Sequence, residues 1–418
     1  DKGEEIVNSD KKAADLGYSY AVENYKDDLR DYMKVIDSFS SPISYMILSG
    51  NEAAALGAIS AGMQFAAIYP MSPINNVLHV LAANQEKFGF VYKQPEDEIS
   101  AINMAIGASH AGVRSMTATS GGGFCLMTEA YGLAGITEVP LVIIDGMRGG
   151  PATGLPTWSG QGDLQMVLHA HQDDFPRIVL APGDVEETYY MVKDAFHIAD
   201  KYQTTVMVLM DKNLCENDRT MAFPDLSKIE INRGKFTKEK IDDYFRYKYE
   251  DDGVSLRSIP GSGNFFIANS DEHGELGYST EEIEERNKMM GKRMQKLITC
   301  EKEDMKDPVI YGPENADITI VSWGSNKGSI VEALKSFSNV NYVHVTWMNP
   351  LPVGFLTTIL SKAKHVIDIE CNYTGQLADL IREKTGINIE DKYLKVDGRV
   401  IYPEEIVEKL NTVKGVKK

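Results

Sequence analysis

Short apolar runs alternate with longer helical stretches over most of this chain. Residues 45–48, 65–69, 88–92, 115–119, 140–145 and 205–210 read as strands, being short and bounded by turn residues. Residues 74–86, 98–111, 124–136 and 184–200 read as the helices between them. A further helix follows the first strand, where Asn51 is placed to cap its start and Gly62 to end it in the left-handed conformation. Residues 139–144 are almost wholly apolar, as expected of a strand covered on both faces. This rhythm predicts a parallel sheet with helices on both sides.

The rhythm breaks over residues 220–312, which are charged and carry an aromatic cluster at 244–249 and a charged helix at 281–297. It resumes at 317 with strands at 317–321, 341–346 and 365–370, a turn at 396–399 and a last helix at 403–410 that opens on Pro403. The expected fold class is therefore α/β, with two doubly wound parallel-sheet domains at 47–225 and 313–418. Residues 226–312 form a linker or insertion, and 1–46 a polar tail that is helical from Glu4 to Tyr25.

A length of 418 residues suits two domains, and 43% hydrophobic with 25% charged residues is ordinary for a globular chain. No apolar run has the length of a membrane span, and the acidic start does not read as a signal peptide. The absence of an initiator Met reads as a fragment or a processed product. A net charge of −18 argues against nucleic acid or an anionic membrane as partner. The four cysteines are widely spaced and form no CxxC, so no local iron–sulfur or zinc signature exists. Such usage fits a reducing cytoplasm.

Candidate chemistry gathers where predicted strands end, the edge at which open parallel sheets bind ligands. Glu98 opens a helix of small residues, either as a solvated helix-dipole carboxylate or, if buried, as a proton donor. Ser120, Gly121, Gly122 and Gly123 form a strand-to-helix turn, either structural or anion-binding. Arg148 heads a loop dense in Gly and Pro and could grip a carboxylate with two hydrogen bonds, or pair weakly at the surface. Ser72 stands between Pro70 and Pro73 as a turn residue or a positioned hydroxyl. No metal-ligand pattern, GxGxxG, Walker sequence or GxSxG elbow is present, which removes an ordinary dinucleotide-binding domain.

Taken jointly, these segments resemble the α subunits of 2-oxoacid:ferredoxin oxidoreductases, in particular the 2-oxoglutarate type, over roughly residues 47 to 410. Residues 69–73 resemble the family's Tyr-Pro-Ile-Thr-Pro, with Ser72 replacing Thr. Residues 94–98, followed by Ala101, Ile102 and Asn103, resemble its cofactor-glutamate segment. Residues 117–123 resemble Thr-Ala-Thr-Ser-Gly-Pro-Gly with Gly122 replacing Pro, and 148–157 resemble Arg-Gly-Gly-Pro-Ser-Thr-Gly-Leu-Pro-Thr with Ala152 replacing Ser. Residues 370–377 resemble Glu-x-Asn-x-Thr-Gly-Gln-Leu, and the N-terminal stretch looks like the end of a γ domain fused ahead of the α part.

The resemblance implies coenzyme A- and thiamine diphosphate-dependent oxidative decarboxylation of a 2-oxoacid, with electrons passed to ferredoxin. It implies a thiamine pyrimidine-binding domain at 47–225 and a transketolase C-terminal-like domain at 313–418. Glu98 would bond the cofactor's aminopyrimidine ring, the Ser120–Gly123 turn would pack beside it, and Ser72 and Arg148 would hold the substrate. Magnesium and [4Fe-4S] clusters would reside in partner chains. Those partners are a β subunit that completes the cofactor site, a γ domain, a ferredoxin-like subunit and ferredoxin, with αβ units pairing as a dimer. The alternatives are a branched-chain or broad-range 2-oxoacid enzyme, and a non-catalytic relative that only assembles with partners.

Overall fold

The computed structural model describes residues 3–29, 44–225, 227 and 229–417. The predicted tail between residues 30 and 43 lies outside the described residues. Residues 1–44 and 45–418 are separate compact units. In the first, a helix spans Gly3–Leu29, with non-helical backbone angles at Tyr25.

The second unit is built on two large sheets and a two-stranded one, in which the strand expected at 45–48 pairs antiparallel with Arg219–Ala222 instead of joining the parallel sheet. In the larger, the strands Arg177–Leu180, Thr205–Asp211, Leu141–Gly149, Ser115–Thr119, Phe65–Ala67 and Val91–Lys93 lie side by side in that order and all run parallel. The strand Trp347–Asn349, from far along the chain, closes one edge antiparallel to Arg177–Leu180. The smaller sheet runs Val309–Tyr311, Val340–His344, Ile318–Ser322, His365–Glu370, Asp391–Leu394, antiparallel only at its first pair. Both are doubly wound α/β sheets, as the hydrophobic rhythm predicts.

Alternating residues along each strand feed opposite cores. Met116, Ala118, Val142, Ile144, Val206 and Val208 pack in one cluster with Ala53, Ala54 and Ala58 of helix Gly50–Ser60 and Val192 of helix Val185–Tyr202. Ile143, Met207 and Leu209 face the other way, into a cluster with Ile102 of helix Glu98–His110 and Phe124 and Met127 of helix Gly121–Ile136. That second cluster also takes in Val321, Val343 and Leu377 from the smaller sheet and its helix, so one apolar core runs between the two sheets.

Several local expectations change. Ser49, not Asn51, caps helix Gly50–Ser60, through a capping box with Glu52. Asn51 is buried, and its Nδ2 donates to the Pro73 carbonyl at 2.7 Å. Gly62 does adopt a left-handed φ of 72°. The helix expected at 124–136 begins earlier, at Gly121, because the glycine turn is its first turn. The strand expected to stop at Asp145 continues to Gly149, so Arg148 lies on a strand and not in a loop. Its extension pairs with Leu155–Ser159 as an antiparallel hairpin.

The segment between the sheets is stapled to the larger one by buried charge. Asp200 receives Arg114 at 2.7 Å, Arg233 at 2.6 Å and Arg257 at 3.4 Å. Glu138 receives Lys292 at 2.7 Å and Lys296 at 2.5 Å from helix Ile283–Glu303. Such pairs form only where each ion has its partner in place, since an unpaired buried charge costs several kcal/mol, roughly.

Candidate active site

The glycine turn, Glu98 and Arg148 meet at the carboxyl ends of neighbouring strands. Strand Ser115–Thr119 delivers Ser120 to the N-cap position of helix Gly121–Ile136, but the Ser120 side chain makes no cap hydrogen bond. Its Oγ is buried without a partner. Asp97 does cap the neighbouring helix Glu98–His110, accepting from the Ser100 amide at 2.7 Å. That cap turns Glu98 inward: the residue is 3% exposed, and its Oε1 is buried with no hydrogen-bond partner. The inward orientation rules out a solvated helix-dipole carboxylate.

Gly123 explains how the carboxyl fits. A Cβ at this position would stand 2.7 Å from Glu98 Oε1 and 2.1 Å from Thr119 Oγ1. Gly121 does the same for a second carboxyl, since a Cβ there would stand 2.3 Å from Asp163 Oδ2. The approach to this helix start, where an outside anion would be welcome, is therefore held by the chain's own Asp163.

Arg148 and Ser72 are brought together. Arg148 Nη1 donates to the Ser72 carbonyl at 2.9 Å, and the Ser72 hydroxyl accepts a long bond of 3.4 Å from Asn75. The peptide bonds Ser72-Pro73 and Gly150-Pro151 are both cis. A cavity of about 500 Å³ opens here, walled by Ser120, Gly122, Arg148, Asp163, Asn372 and Tyr373 among others. Glu98 sits to one side of it, against Gly123, and Ser72 joins it through Arg148.

Two acidic residues were not anticipated. Asp145 is fully buried on strand Leu141–Gly149, and neither carboxyl oxygen has a hydrogen-bond partner. Burial, and then the nearby Asp163, push its pKa well above the usual carboxylate range. Burial pushes Asp163 up to about 6, against the pull of Arg148. A charged residue closing an apolar run was the one available signal for Asp145. For Asp163 only the fold supplies it.

Gln161 is a third such residue. Its Nε2 donates to the Trp323 carbonyl at 3.0 Å, and its Oε1 accepts from Asn326 and from the Cys371 amide, both at 2.9 Å. Its backbone amide donates to the Cys371 carbonyl at 2.8 Å, and Asn372 donates to its carbonyl at 3.1 Å. Through it, the smaller sheet's turns hold the strand that pairs with Arg148. Among the described residues no group of three or more His, Cys, Asp or Glu could hold a metal ion. No described helix is long and apolar enough to cross a membrane.

Residues 56–292 match the family described as pyruvate flavodoxin/ferredoxin oxidoreductase, thiamine diP-bdg. The chain is 36% identical over 387 residues to a 2-oxoacid:ferredoxin oxidoreductase subunit alpha of Saccharolobus solfataricus, covering 88% of this chain and 61% of that one. It thus spans about three fifths of the length of that relative. It is 31% identical over 374 residues to the 2-oxoglutarate synthase subunit KorA of Methanothermobacter marburgensis, covering 88% of this chain and 98% of that one. Among solved structures, 2-oxoglutarate:ferredoxin oxidoreductase from Magnetococcus marinus, with 2-oxoglutarate, coenzyme A and succinyl-CoA bound, superposes with a TM-score of 0.86 at 34% identity. It covers 98% of this chain and 72% of that one. A split-gene transketolase in an inactive β4 tetramer shares the fold alone, at 13% identity and a TM-score of 0.51 over 89% of this chain and 99% of that one. On the breadth of these likenesses, the chain belongs to the α-subunit family of the 2-oxoacid:ferredoxin oxidoreductases.

Proposed function

We propose that this chain supplies half of the active site of a coenzyme A- and thiamine diphosphate-dependent 2-oxoacid:ferredoxin oxidoreductase, with 2-oxoglutarate the first substrate to test. The reaction joins a 2-oxoacid and coenzyme A into an acyl-CoA, releases CO2 and passes an electron pair through partner iron–sulfur clusters to ferredoxin. One observation carries the reading: the buried Glu98 carboxyl with Oε1 unpaired, set against a glycine turn.

A buried acceptor without a donor is costly, and a ligand group that bonds it recovers the cost. The protonated ring nitrogen of an aminopyrimidine would be such a group, and Ser120 Oγ offers a second unpaired polar atom nearby. These residues fit the pyrimidine end of thiamine diphosphate. The diphosphate end does not fit this turn, because Asp163 already occupies the approach to Gly121. We assign the diphosphate and its magnesium to a β subunit.

When bound, thiamine diphosphate supplies the carbon nucleophile and the electron sink for decarboxylation. Glu98 shares a proton with the ring nitrogen at Oε1 and so keeps the cofactor in its reactive tautomer. Arg148 uses one N–H on the Ser72 carbonyl and turns its free donors toward the cavity, where they bind the substrate's carboxylate. The Ser72 hydroxyl donates to the oxo group. Exposed Ile99 (48%), Met104 (45%) and Leu126 (53%) lie on the two helices that carry Glu98 and the glycine turn, which supports docking of the β subunit there. A γ domain, a ferredoxin-like subunit, pairing of αβ units and a cytoplasmic setting complete the reading.

The test is anaerobic viologen reduction by the chain co-purified with its β subunit, supplied with thiamine diphosphate, magnesium and coenzyme A. Ranking kcat/KM for 2-oxoglutarate, pyruvate and 2-oxoisovalerate names the substrate and decides between the 2-oxoglutarate and broad-range readings. Glu98→Ala is expected to abolish turnover in an intact complex; normal turnover would refute the role of Glu98. No reduction by an intact wild-type complex with cofactor bound would replace the reading with a non-catalytic relative.

A further inference from the structure

The cavity contains an opposed pair of charges that never meet. Arg148 and Asp163 both line it, and no ion pair or hydrogen bond joins them. Arg148 uses a single N–H, on the Ser72 carbonyl, and the Asp163 carboxyl has no hydrogen-bond partner among the described residues. Behind Asp163, Asp145 is fully buried with both oxygens unpaired. A carboxylate that enters to reach Arg148 must therefore come to rest beside another carboxyl. We infer that Asp163 sets the charge of the substrate cavity, so that a 2-oxoacid's carboxylate reaches Arg148 only as Asp163, backed by the buried Asp145, takes up a proton. This inference rests on the function proposed above and deepens it.

The groups facing Asp163 support this coupling. Strand Leu141–Gly149 contributes Arg148, which pulls the pKa of Asp163 down, and Asp145, whose own pKa is raised by burial and by Asp163. Helix Gly121–Ile136 contributes Cys125, whose thiol is pushed up by burial and then by Asp163 and Asp145. The smaller sheet's turn contributes Cys371, pushed up by burial, and Tyr373. Arg148 is the one cation in this set, and the net charge of the cavity turns on Asp163. Its pKa near 6 places that change just below neutral pH. Burial and the nearby Asp163 push Asp145 up as well, well above the usual carboxylate range.

A cavity of about 500 Å³ keeps any bound group within roughly 10 Å of Asp163, so repulsion between two carboxylates weakens binding by about tenfold. A dicarboxylate carries a second charge into the same space and feels it more.

The αβ complex is assayed for viologen reduction between pH 5.5 and 8.5 with 2-oxoglutarate and with 2-oxobutyrate. In the wild type, KM is expected to rise about tenfold across pH 6, more steeply for 2-oxoglutarate, with kcat moving far less. Asp163→Asn, which keeps size and removes charge, is expected to flatten both KM profiles. Thermal unfolding of the same variant is expected to show a higher Tm than wild type at pH 8 and a Tm close to it at pH 4, because the charged form of Asp163, which desolvation disfavours, is present only at the higher pH. Wild-type KM profiles in a folded D163N complex overturn the inference, as does a D163N that is less stable at pH 8. Turnover with a flat wild-type profile overturns the inference alone. No turnover with any 2-oxoacid overturns the function reading and the inference together.

Discussion

Replacing Gly123 with alanine separates packing from helix propensity at the site. In a helix, Gly→Ala ordinarily stabilises, by up to about 1 kcal/mol. Gly107, on helix Glu98–His110, is exposed and meets nothing within 4 Å of an added Cβ, so Gly107→Ala is expected to show that gain. At Gly123 the new methyl group would stand 2.1 Å from Thr119 Oγ1 and 2.7 Å from Glu98 Oε1. Both residues are buried, at 0% and 3% exposure. Overpacking of this kind costs about 1–3 kcal/mol, which exceeds the propensity gain. The expected result is a Gly123→Ala variant less stable than wild type by up to about 2 kcal/mol, with Gly107→Ala more stable. Thermal unfolding of the two purified variants beside wild type measures both signs, and calorimetry with thiamine diphosphate on the αβ complex shows whether moving Glu98 weakens the cofactor. A Gly123→Ala variant as stable as Gly107→Ala, with cofactor affinity intact, would refute the placement of Glu98 against the turn.

Other perturbations test the structure further from the turn. Glu138→Gln leaves Lys292 and Lys296 buried without their anion, and is expected to destabilise by about 3–5 kcal/mol at neutral pH. Burial already lowers Lys296 to about 7, so the folded variant binds fewer protons than the unfolded chain, and its stability should recover as pH rises from 7 toward 10 in unfolding scans. Gln161→Leu strands the Trp323 carbonyl, Asn326 and the Cys371 amide; the loosened Arg148 hairpin should raise KM for the 2-oxoacid more than it lowers kcat. Arg148→Lys removes the planar fork and is expected to raise KM about tenfold or more in the viologen assay, since a single ammonium cannot reproduce two parallel bonds.

The α/β rhythm was legible because strands covered on both faces announce themselves as unbroken apolar runs, as at residues 139–144. Element ends were less legible. Ser49 and Asn51 are both good capping residues, and the Ser49-x-x-Glu52 spacing of a capping box, present in the sequence, is what selects Ser49. The strand Trp347–Asn349 could not be assigned to the larger sheet, because its partner Arg177–Leu180 lies far away along the chain. At the site, the types of residue were readable and their contacts were not. Glycines at 121–123 read as a strand-to-helix turn, either structural or anion-binding. Two of them instead admit the carboxyls of Asp163 and Glu98, contacts that depend on how distant segments come together.

The stretch at residues 370–377, given by the sequence only as a resemblance, works as a joint. Glu370 Oε1 accepts from the Leu377 amide at 2.8 Å at the start of helix Gln376–Thr385, and Glu370 Oε2 accepts from Trp323 at 2.8 Å and Asn372 at 2.7 Å. Asn372 and Cys371 then bind Gln161, and Gln376 donates to the Gly162 carbonyl at 2.8 Å. Every polar group in this chain of bonds is answered by another element, which is what makes a buried network rigid rather than costly. Its far end is the strand paired with Arg148. An arginine that must present a fork to a carboxylate within a fraction of an ångström needs its backbone held from both sides. The larger sheet supplies one side, through strand Leu141–Gly149, and the smaller sheet supplies the other, through Gln161. On the function proposed above, the two sheets have to fold onto one another before Arg148 could grip a substrate, and a change in the smaller sheet's turns would be felt in KM without touching the ligand.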